Sequence, residues 1–119
     1  MKRLIGATLN TFRGFRHAAR SEVALRQELA IVVIALPVGF FLAPGMGWYV
    51  AMIGALLAIL AVELLNTAIE KLADHVTSER HPAIGAVKDM GSAAVFCALL
   101  LAAVIWSAAA LQKFAVIWS

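Results

Sequence analysis

Two long stretches without charged residues dominate the pattern of hydrophobic and polar positions in this sequence. The first covers residues 29–62, with 34 consecutive residues that are neither acidic nor basic, and the second covers residues 90–112, with 23. The hydrocarbon core of a bilayer is about 30 Å thick, so a helix needs roughly 20 apolar residues to cross it. The first stretch, with its flanks, is therefore long enough for two membrane spans and the second for one.

A turn is predicted to divide the first stretch at residues 43–47, which read Ala-Pro-Gly-Met-Gly. Proline and glycine supply turn geometry that neither flanking helix can continue through. The pattern therefore predicts an all-α membrane protein with a single membrane domain, residues 1–119. The predicted transmembrane helices cover about 29–43, 48–70 and 90–112. The first is short for a full crossing, so we expect its helix to begin earlier.

Composition and charge support a membrane location and predict the orientation of the chain across the membrane. Hydrophobic residues make up 63% of the chain, well above the level of an ordinary soluble domain. Six of the ten lysines and arginines precede the first span, and the turn at 43–47 has none. The positive-inside rule then places the N-terminus and the second loop in the cytoplasm and the C-terminus outside. The arginine-rich start has no short apolar core or cleavage site, so no cleavable signal peptide is predicted.

Residues 2–26 are predicted to form an amphipathic helix on the membrane surface. At about 100° per residue, its apolar face holds Leu4, Ile5, Thr8, Phe12, Phe15 and Ala19. Its opposite face holds Lys2, Arg3, Arg13, His17 and Arg20. Such a helix binds the headgroup layer through its apolar face and through attraction to anionic lipid. The alternative is a topology signal and anchor with no further task. Nucleic-acid binding is disfavoured because the basic face is fused directly to membrane spans.

The second predicted span carries a stripe of polar residues near its cytoplasmic end. Helical periodicity places five side chains within about 100° of one another. These side chains belong to Glu63, Asn66, Thr67, Glu70 and Asp74. Like charges one or two turns apart repel unless a cation or a proton lies between them, so Glu63 and Glu70 favour a divalent metal such as Mg²⁺. Asp74 is explained at least as well as a solvated residue at the helix end.

Further charged residues are predicted at the same water interface. Glu22 and Glu28 precede the first span, and Lys88 and Asp89 precede the third. Carboxylates for a metal, a lysine for phosphate and a candidate base are the components that phosphoryl transfer requires. The sequence has no Gly-x-x-x-x-Gly-Lys-[Ser/Thr] loop and no kinase-type glycine loop. Any nucleotide site must therefore differ from the familiar phosphate-binding loops.

Four segments give this sequence a resemblance to a known family. They are Arg26-Gln27-Glu28, the run from Val62-Glu63 to Glu70, Ser78-Glu79-Arg80-His81, and Lys88-Asp89-Met90-Gly91-Ser92-Ala93-Ala94-Val95. In this order and spacing they resemble the small prokaryotic diacylglycerol kinases, which are trimeric three-span membrane enzymes unrelated to soluble kinases. The resemblance covers nearly the whole chain. It implies a homotrimer in the bacterial inner membrane that transfers the γ-phosphate of ATP to diacylglycerol and yields phosphatidic acid.

The resemblance also implies roles for individual residues. Glu63 is expected to act as general base on the lipid hydroxyl. Glu22 and Glu70 are expected to hold the Mg²⁺ that bridges the nucleotide phosphates. The expected nucleotide contacts are Asn66, Glu79, Arg80, His81, Lys88 and Asp89.

Three further residues are placed by the resemblance at the edge of this site. Arg3 and Ser92 match positions near the lipid or the phosphates, and Asn10 lies on the adenine side, where relatives are expected to carry an aromatic residue. The family also implies that each site is composite, with the surface helix and the spans supplied by neighbouring subunits.

Three other functions are compatible with parts of the sequence. An undecaprenol kinase would share the fold and the phosphoryl transfer but use a polyprenol acceptor, although the segments quoted above look more like the diacylglycerol branch. A small proton-coupled transporter using Glu63 is disfavoured, because a fourth span is lacking and the carboxylates cluster near the cytoplasmic end. A purely structural membrane subunit would leave the polar stripe unexplained.

Overall fold

The structure, a computed structural model, describes residues 1–77, 79 and 81–115, and these residues form four helices. In chain order the helices are α1 (Lys2–Ser21), α2 (Val23–Leu42), α3 (Met46–Val76) and α4 (Pro82–Ala115). Strands are absent from this part of the chain. Helices α2, α3 and α4 are each long enough and apolar enough to cross a membrane. The predicted architecture of one amphipathic helix and three transmembrane helices is confirmed.

The corner between α1 and α2 is built by Glu22 and Arg26. Glu22 is extended, with φ −124° and ψ 115°, and its backbone N–H donates to the Ala18 carbonyl at 2.8 Å. The Arg26 guanidinium donates to the Ala19 carbonyl at 2.9 Å, among the last carbonyls of α1, which lack helical partners. Because of this corner, α1 ends at Ser21 and not at the predicted limit of residue 26, and Arg26 lies in α2.

Helix α1 packs on the bundle through its C-terminal half. Ala18, Leu25 and Leu60 form a buried cluster there, joining α1, α2 and α3. The N-terminal half leaves its apolar face open, with Leu4 67% exposed and Phe12 70% exposed. An uncovered apolar face of this kind is what a helix lying in the headgroup layer presents to lipid.

The most extensive helix interface joins α3 to α4. Ala55 and Ile59 of α3 are buried against Ala98 and Ala102 of α4. Small side chains at such positions let two helix backbones approach closely, which is the usual packing of helices in membranes. The interface holds the polar residues of α3 next to the first turns of α4.

At the opposite end of the bundle, side chains from all three long helices meet. The Trp106 indole N–H donates to the Met52 carbonyl at 3.0 Å, joining α4 to α3. The Tyr49 hydroxyl donates to the Leu36 carbonyl at 2.8 Å, next to Pro37 inside α2. These bonds occupy backbone carbonyls at a depth where unpaired polar groups are costly.

Both long helices extend beyond the apolar stretches at the polar end of the bundle. Helix α3 continues to Val76 and α4 already begins at Pro82, whereas the predicted spans were about 48–70 and 90–112. The added turns contain charged residues, so they suit the water side of the interface. The candidate site is therefore carried mainly by helices.

Candidate active site

The polar stripe of α3 begins with a hydrogen bond between Asn66 and Glu70. The Asn66 side-chain Nδ2 donates to Glu70 Oε1 at 3.2 Å, across one helical turn. Both side chains are partly buried, whereas Asp74, one turn further on, is exposed. The bond fixes one carboxylate oxygen of Glu70 and does not involve the second.

Glu28 of α2 meets Glu63 of α3. The two carboxyl groups lie within hydrogen-bonding reach of each other, and both residues are partly buried. Glu28 Oε2 is buried and receives no hydrogen bond from a donor in the described part of the chain. Two ionised carboxylates offer only acceptors, so this contact requires a proton or a cation between them.

The sequence did not identify Glu28 as a partner of Glu63, although a signal was present. Glu28 follows Leu25 by three residues and precedes Ala35 and Gly39 at helical spacing, and these three residues are buried in α2. A glutamate in register with such a face is directed at a neighbouring helix. Identifying that neighbour as Glu63 required the packing of α2 on α3.

An ion pair joins the ends of α3 and α4. Lys88 Nζ lies 2.6 Å from Asp74 Oδ1, and the lysine charge also interacts with the nearby Glu70 carboxylate. The side chains are 42% and 64% exposed, and exposed pairs contribute little to stability. The pair therefore matters mainly for where it holds the ammonium group, on the same side of the bundle as Glu70.

A cavity of about 490 Å³ opens beside this ion pair. Its lining consists of Asp74, Thr77, Glu79, His81, Pro82, Ile84, Gly85 and Lys88. His81 Nδ1 accepts a hydrogen bond from the Ala83 backbone N–H at 3.2 Å, and Thr77 Oγ1 accepts one from the Glu79 N–H at 3.1 Å. The cavity thus joins the N-terminus of α4, which favours anions, to the cation of Lys88.

Glu22 faces the same end of α3 from the α1–α2 corner. Its Oε1 lies 4.0 Å from Lys71 Nζ, and Lys71 directly follows Glu70. Among residues 1–77, 79 and 81–115, no three His, Cys, Asp or Glu side chains are arranged to hold a metal ion. Mg²⁺ commonly takes one or two carboxylates and completes its shell with phosphate oxygens and water, so a site for it does not need an all-protein cage.

A second cavity separates α1 from α3 and is almost wholly apolar. It has a volume of about 390 Å³. Its lining comprises Thr11, Gly14, Phe15, His17, Ala18, Leu64, Thr67, Ala68 and Lys71. Thr67 belongs to the polar stripe of α3, so this groove reaches the stripe from the lipid side.

The remaining predicted site residues lie on exposed positions. Asp89 and Ser92 are on the first turns of α4, close in sequence to Lys88. Arg3 and Asn10 are on the N-terminal half of α1, and within the described chain they form no ion pair or side-chain hydrogen bond. Arg80 lies outside the described residues. One chain thus brings together Glu28, Glu63, Asn66, Glu70, Asp74 and Lys88, but not Arg3 and Asn10.

Known proteins are similar to this chain over most of its length. A family model described as prokaryotic diacylglycerol kinase matches residues 9–110. The diacylglycerol kinase of Pseudomonas aeruginosa is 45% identical over 107 residues, which are 90% of this chain and 87% of that protein. That of Haemophilus influenzae is 38% identical over 103 residues, 87% of each chain. That of Escherichia coli K12 is 38% identical over 104 residues, 87% of this chain and 85% of that protein.

Proposed function

This chain belongs to the prokaryotic diacylglycerol kinase family, and on that premise we propose that Glu63 is the general base and Glu70 a magnesium ligand of its lipid kinase reaction. Membership makes the chain a lipid kinase that acts on diacylglycerol with ATP as co-substrate. The resemblance noted in the sequence is thereby confirmed. The product is phosphatidic acid, formed when the lipid hydroxyl takes the γ-phosphoryl group and ADP leaves.

The contact between Glu28 and Glu63 is the single observation on which the assignment of the base depends. It holds the Glu63 carboxyl at the α2–α3 interface, one turn before the Asn66–Glu70 bond. A base must hold a fixed position within hydrogen-bond reach of the proton that it removes. Glu63 accepts the hydroxyl proton as the lipid oxygen forms its bond to the γ-phosphorus and the bond to the β-phosphate oxygen breaks.

Glu70 and Glu22 are proposed to hold Mg²⁺ at the end of α3. Bound there with ATP, the ion would neutralise charge that develops on the phosphate oxygens. Asn66 orients Glu70 by donating to its Oε1. Glu22 lies 4.0 Å from Lys71, the residue after Glu70, so its proposed metal role requires its carboxylate to turn from Lys71 towards Glu70.

Lys88 and the cavity beside it are proposed to receive the phosphates of ATP. The cavity of about 490 Å³ combines the lysine ammonium with the N-terminus of α4. Both features attract anions, and phosphoryl transfer depends mainly on positioning and on neutralising charge. Glu79, His81, Asp89 and Asn66 are proposed nucleotide contacts, and Arg80 belongs with them in sequence.

The acceptor lipid is proposed to enter along the apolar groove between α1 and α3. Thr67 lines that groove and Glu63 lies one turn away on the same helix, so a hydroxyl held at the headgroup level reaches the base. Ser92 and Arg3 are proposed to contact the lipid or the phosphates. In this arrangement the N-terminus is cytoplasmic, the C-terminus external, and ATP arrives from the cytoplasm.

A kinase assay on purified protein tests the proposal and its acceptor. The protein in lipid nanodiscs would receive radiolabelled ATP, Mg²⁺ and either short-chain diacylglycerol or undecaprenol. We expect labelled phosphatidic acid that depends on Mg²⁺ and is lost in Glu63→Gln. Phosphorylation of undecaprenol alone would instead favour the related polyprenol activity on the same fold.

A further inference from the structure

Gly91 of α4 is in direct contact with the side chain of Asn66 on α3. Gly91 is buried, and a methyl group placed on it would overlap Asn66 Oδ1 and lie 3.1 Å from Asn66 Cγ. The same methyl group would lie 3.9 Å from Asn66 Cβ, which is an ordinary contact distance. The obstacle to a side chain at position 91 is therefore the amide group of Asn66 and not the α3 backbone.

The Asn66 amide is held between α4 and Glu70. Its Nδ2 donates to Glu70 Oε1 at 3.2 Å, and its Oδ1 is buried with no hydrogen-bond donor among the described residues. The opposite amide orientation would place an oxygen against the Glu70 carboxylate, where two acceptors repel. The amide therefore has little freedom, and displacing it also releases the carboxylate.

We propose that Gly91 is a positioning residue for metal binding, which acts through Asn66 on Glu70. This inference rests on the proposed role of Glu70 as a magnesium ligand. The bare backbone at position 91 leaves the space that Asn66 needs to hold Glu70 Oε1, so that the other carboxylate oxygen is presented to the ion. Partners that orient a metal ligand typically change metal affinity or activity about 10–100-fold when they are replaced.

The first test compares Gly91→Ala with Gly47→Ala. We expect Gly91→Ala to raise the Mg²⁺ concentration for half-maximal activity about tenfold, because Asn66 must rotate away from Glu70. Gly47 is also a helical glycine, but no heavy atom lies within 4 Å of a methyl group placed on it. Gly47→Ala should therefore keep the wild-type Mg²⁺ requirement, and an equal shift in both variants would overturn the proposal.

The second test repeats Gly91→Ala in an Asn66→Ala background. Removing the amide leaves only the 3.9 Å contact with Cβ, so the added methyl group has room. We expect Asn66→Ala alone to weaken metal binding, and Gly91→Ala to add no further loss. If Gly91→Ala cost the same factor in both backgrounds, its effect would not pass through Asn66 and the inference would fail.

Binding measured without turnover gives the third readout. Mn²⁺ affinity can be titrated by electron paramagnetic resonance with a non-hydrolysable ATP analogue present. We expect weaker Mn²⁺ binding in Gly91→Ala, Asn66→Ala and Glu70→Gln. If Glu70→Gln kept the wild-type Mn²⁺ affinity and Mg²⁺ requirement, Glu70 would not be a metal ligand and the proposed function of this residue would be wrong. Weak binding in Glu70→Gln with wild-type binding in Asn66→Ala would overturn the Gly91 inference alone, even if Gly91→Ala failed to fold.

Discussion

At the residue scale, the central feature is a pair of carboxyl groups on two neighbouring helices. Glu28 and Glu63 are within hydrogen-bonding reach, and neither can donate when both are ionised. Such a pair stays together only with a shared proton or a cation. It therefore holds the Glu63 carboxyl at the α2–α3 interface, in the position that its proposed role as general base requires.

Glu63→Gln should abolish turnover, because an amide cannot accept the hydroxyl proton. General-base catalysis contributes about 100-fold or more to rate, and the glutamine is otherwise similar in size and keeps a hydrogen bond to Glu28. Initial rates with diacylglycerol and equilibrium binding of a fluorescent ATP analogue would be measured together. Nucleotide affinity should stay close to that of wild type. Preserved turnover would exclude Glu63 as the base.

Replacing Glu28 separates its positioning role from general packing. Glu28→Leu leaves Glu63 without its partner, and we expect kcat to fall about tenfold with a small change in KM for ATP. Glu28→Gln can still donate to Glu63 and should lose less. The matched control is Gln27→Leu, since Gln27 is exposed and adjacent in α2. Equal rates in Glu28→Leu and Gln27→Leu would contradict the positioning role.

At the element scale, the helices could be predicted from sequence but their pairing could not. Apolar runs and the proline-glycine turn indicate spans, because each is a local signal that needs no knowledge of neighbours. The corner at Glu22 depends on a hydrogen bond from the Arg26 side chain back to α1. The periodicity of polar and apolar residues along the sequence does not reveal such a bond. The meeting of Glu28 with Glu63 likewise depends on how α2 rotates against α3.

Only part of the candidate site can be predicted from the sequence, because helical periodicity relates residues of one helix and not residues of different helices. Glu63, Asn66 and Glu70 share a helix, so their common face follows from helical periodicity alone. Lys88 was proposed as a phosphate ligand from its position before an apolar stretch, but its bond to Asp74 was not foreseen. The sequence allows Asp74 to be either solvated or catalytic, and in the structure it is exposed and forms an ion pair with Lys88.

The link between Asp74 and Lys88 should affect nucleotide binding more than stability. Both side chains are substantially exposed, so we expect Asp74→Asn to leave the thermal unfolding midpoint close to that of wild type. The KM of this variant for ATP should rise, because Lys88 would lose the group that holds it near Glu70. Lys88→Met should raise that KM strongly, and adding Asp74→Asn to it should have little further effect. Additive effects of the two changes would show that Asp74 does not act through Lys88.

At the scale of the whole molecule, a single chain leaves part of the predicted site unassembled. Arg3 and Asn10 lie on the open half of α1, without polar side-chain partners in the described part of this chain. Small residues on α3 and α4, such as Gly54 and Ala94, are exposed and would allow another subunit to approach closely. A homotrimer in which α1 of one subunit covers the α3 stripe of another would explain both features.

Subunit mixing tests this shared arrangement directly. Arg3→Ala and Glu63→Gln proteins, each expected to be strongly impaired, would be unfolded, mixed in equal amounts and refolded together into lipid. If Arg3 and Glu63 of one site come from different subunits, about a quarter of the sites in random mixtures combine two intact residues, and about a quarter of wild-type activity should return. Each variant refolded alone is the control. If both residues come from one chain, every site stays defective and the mixture remains as inactive as its components.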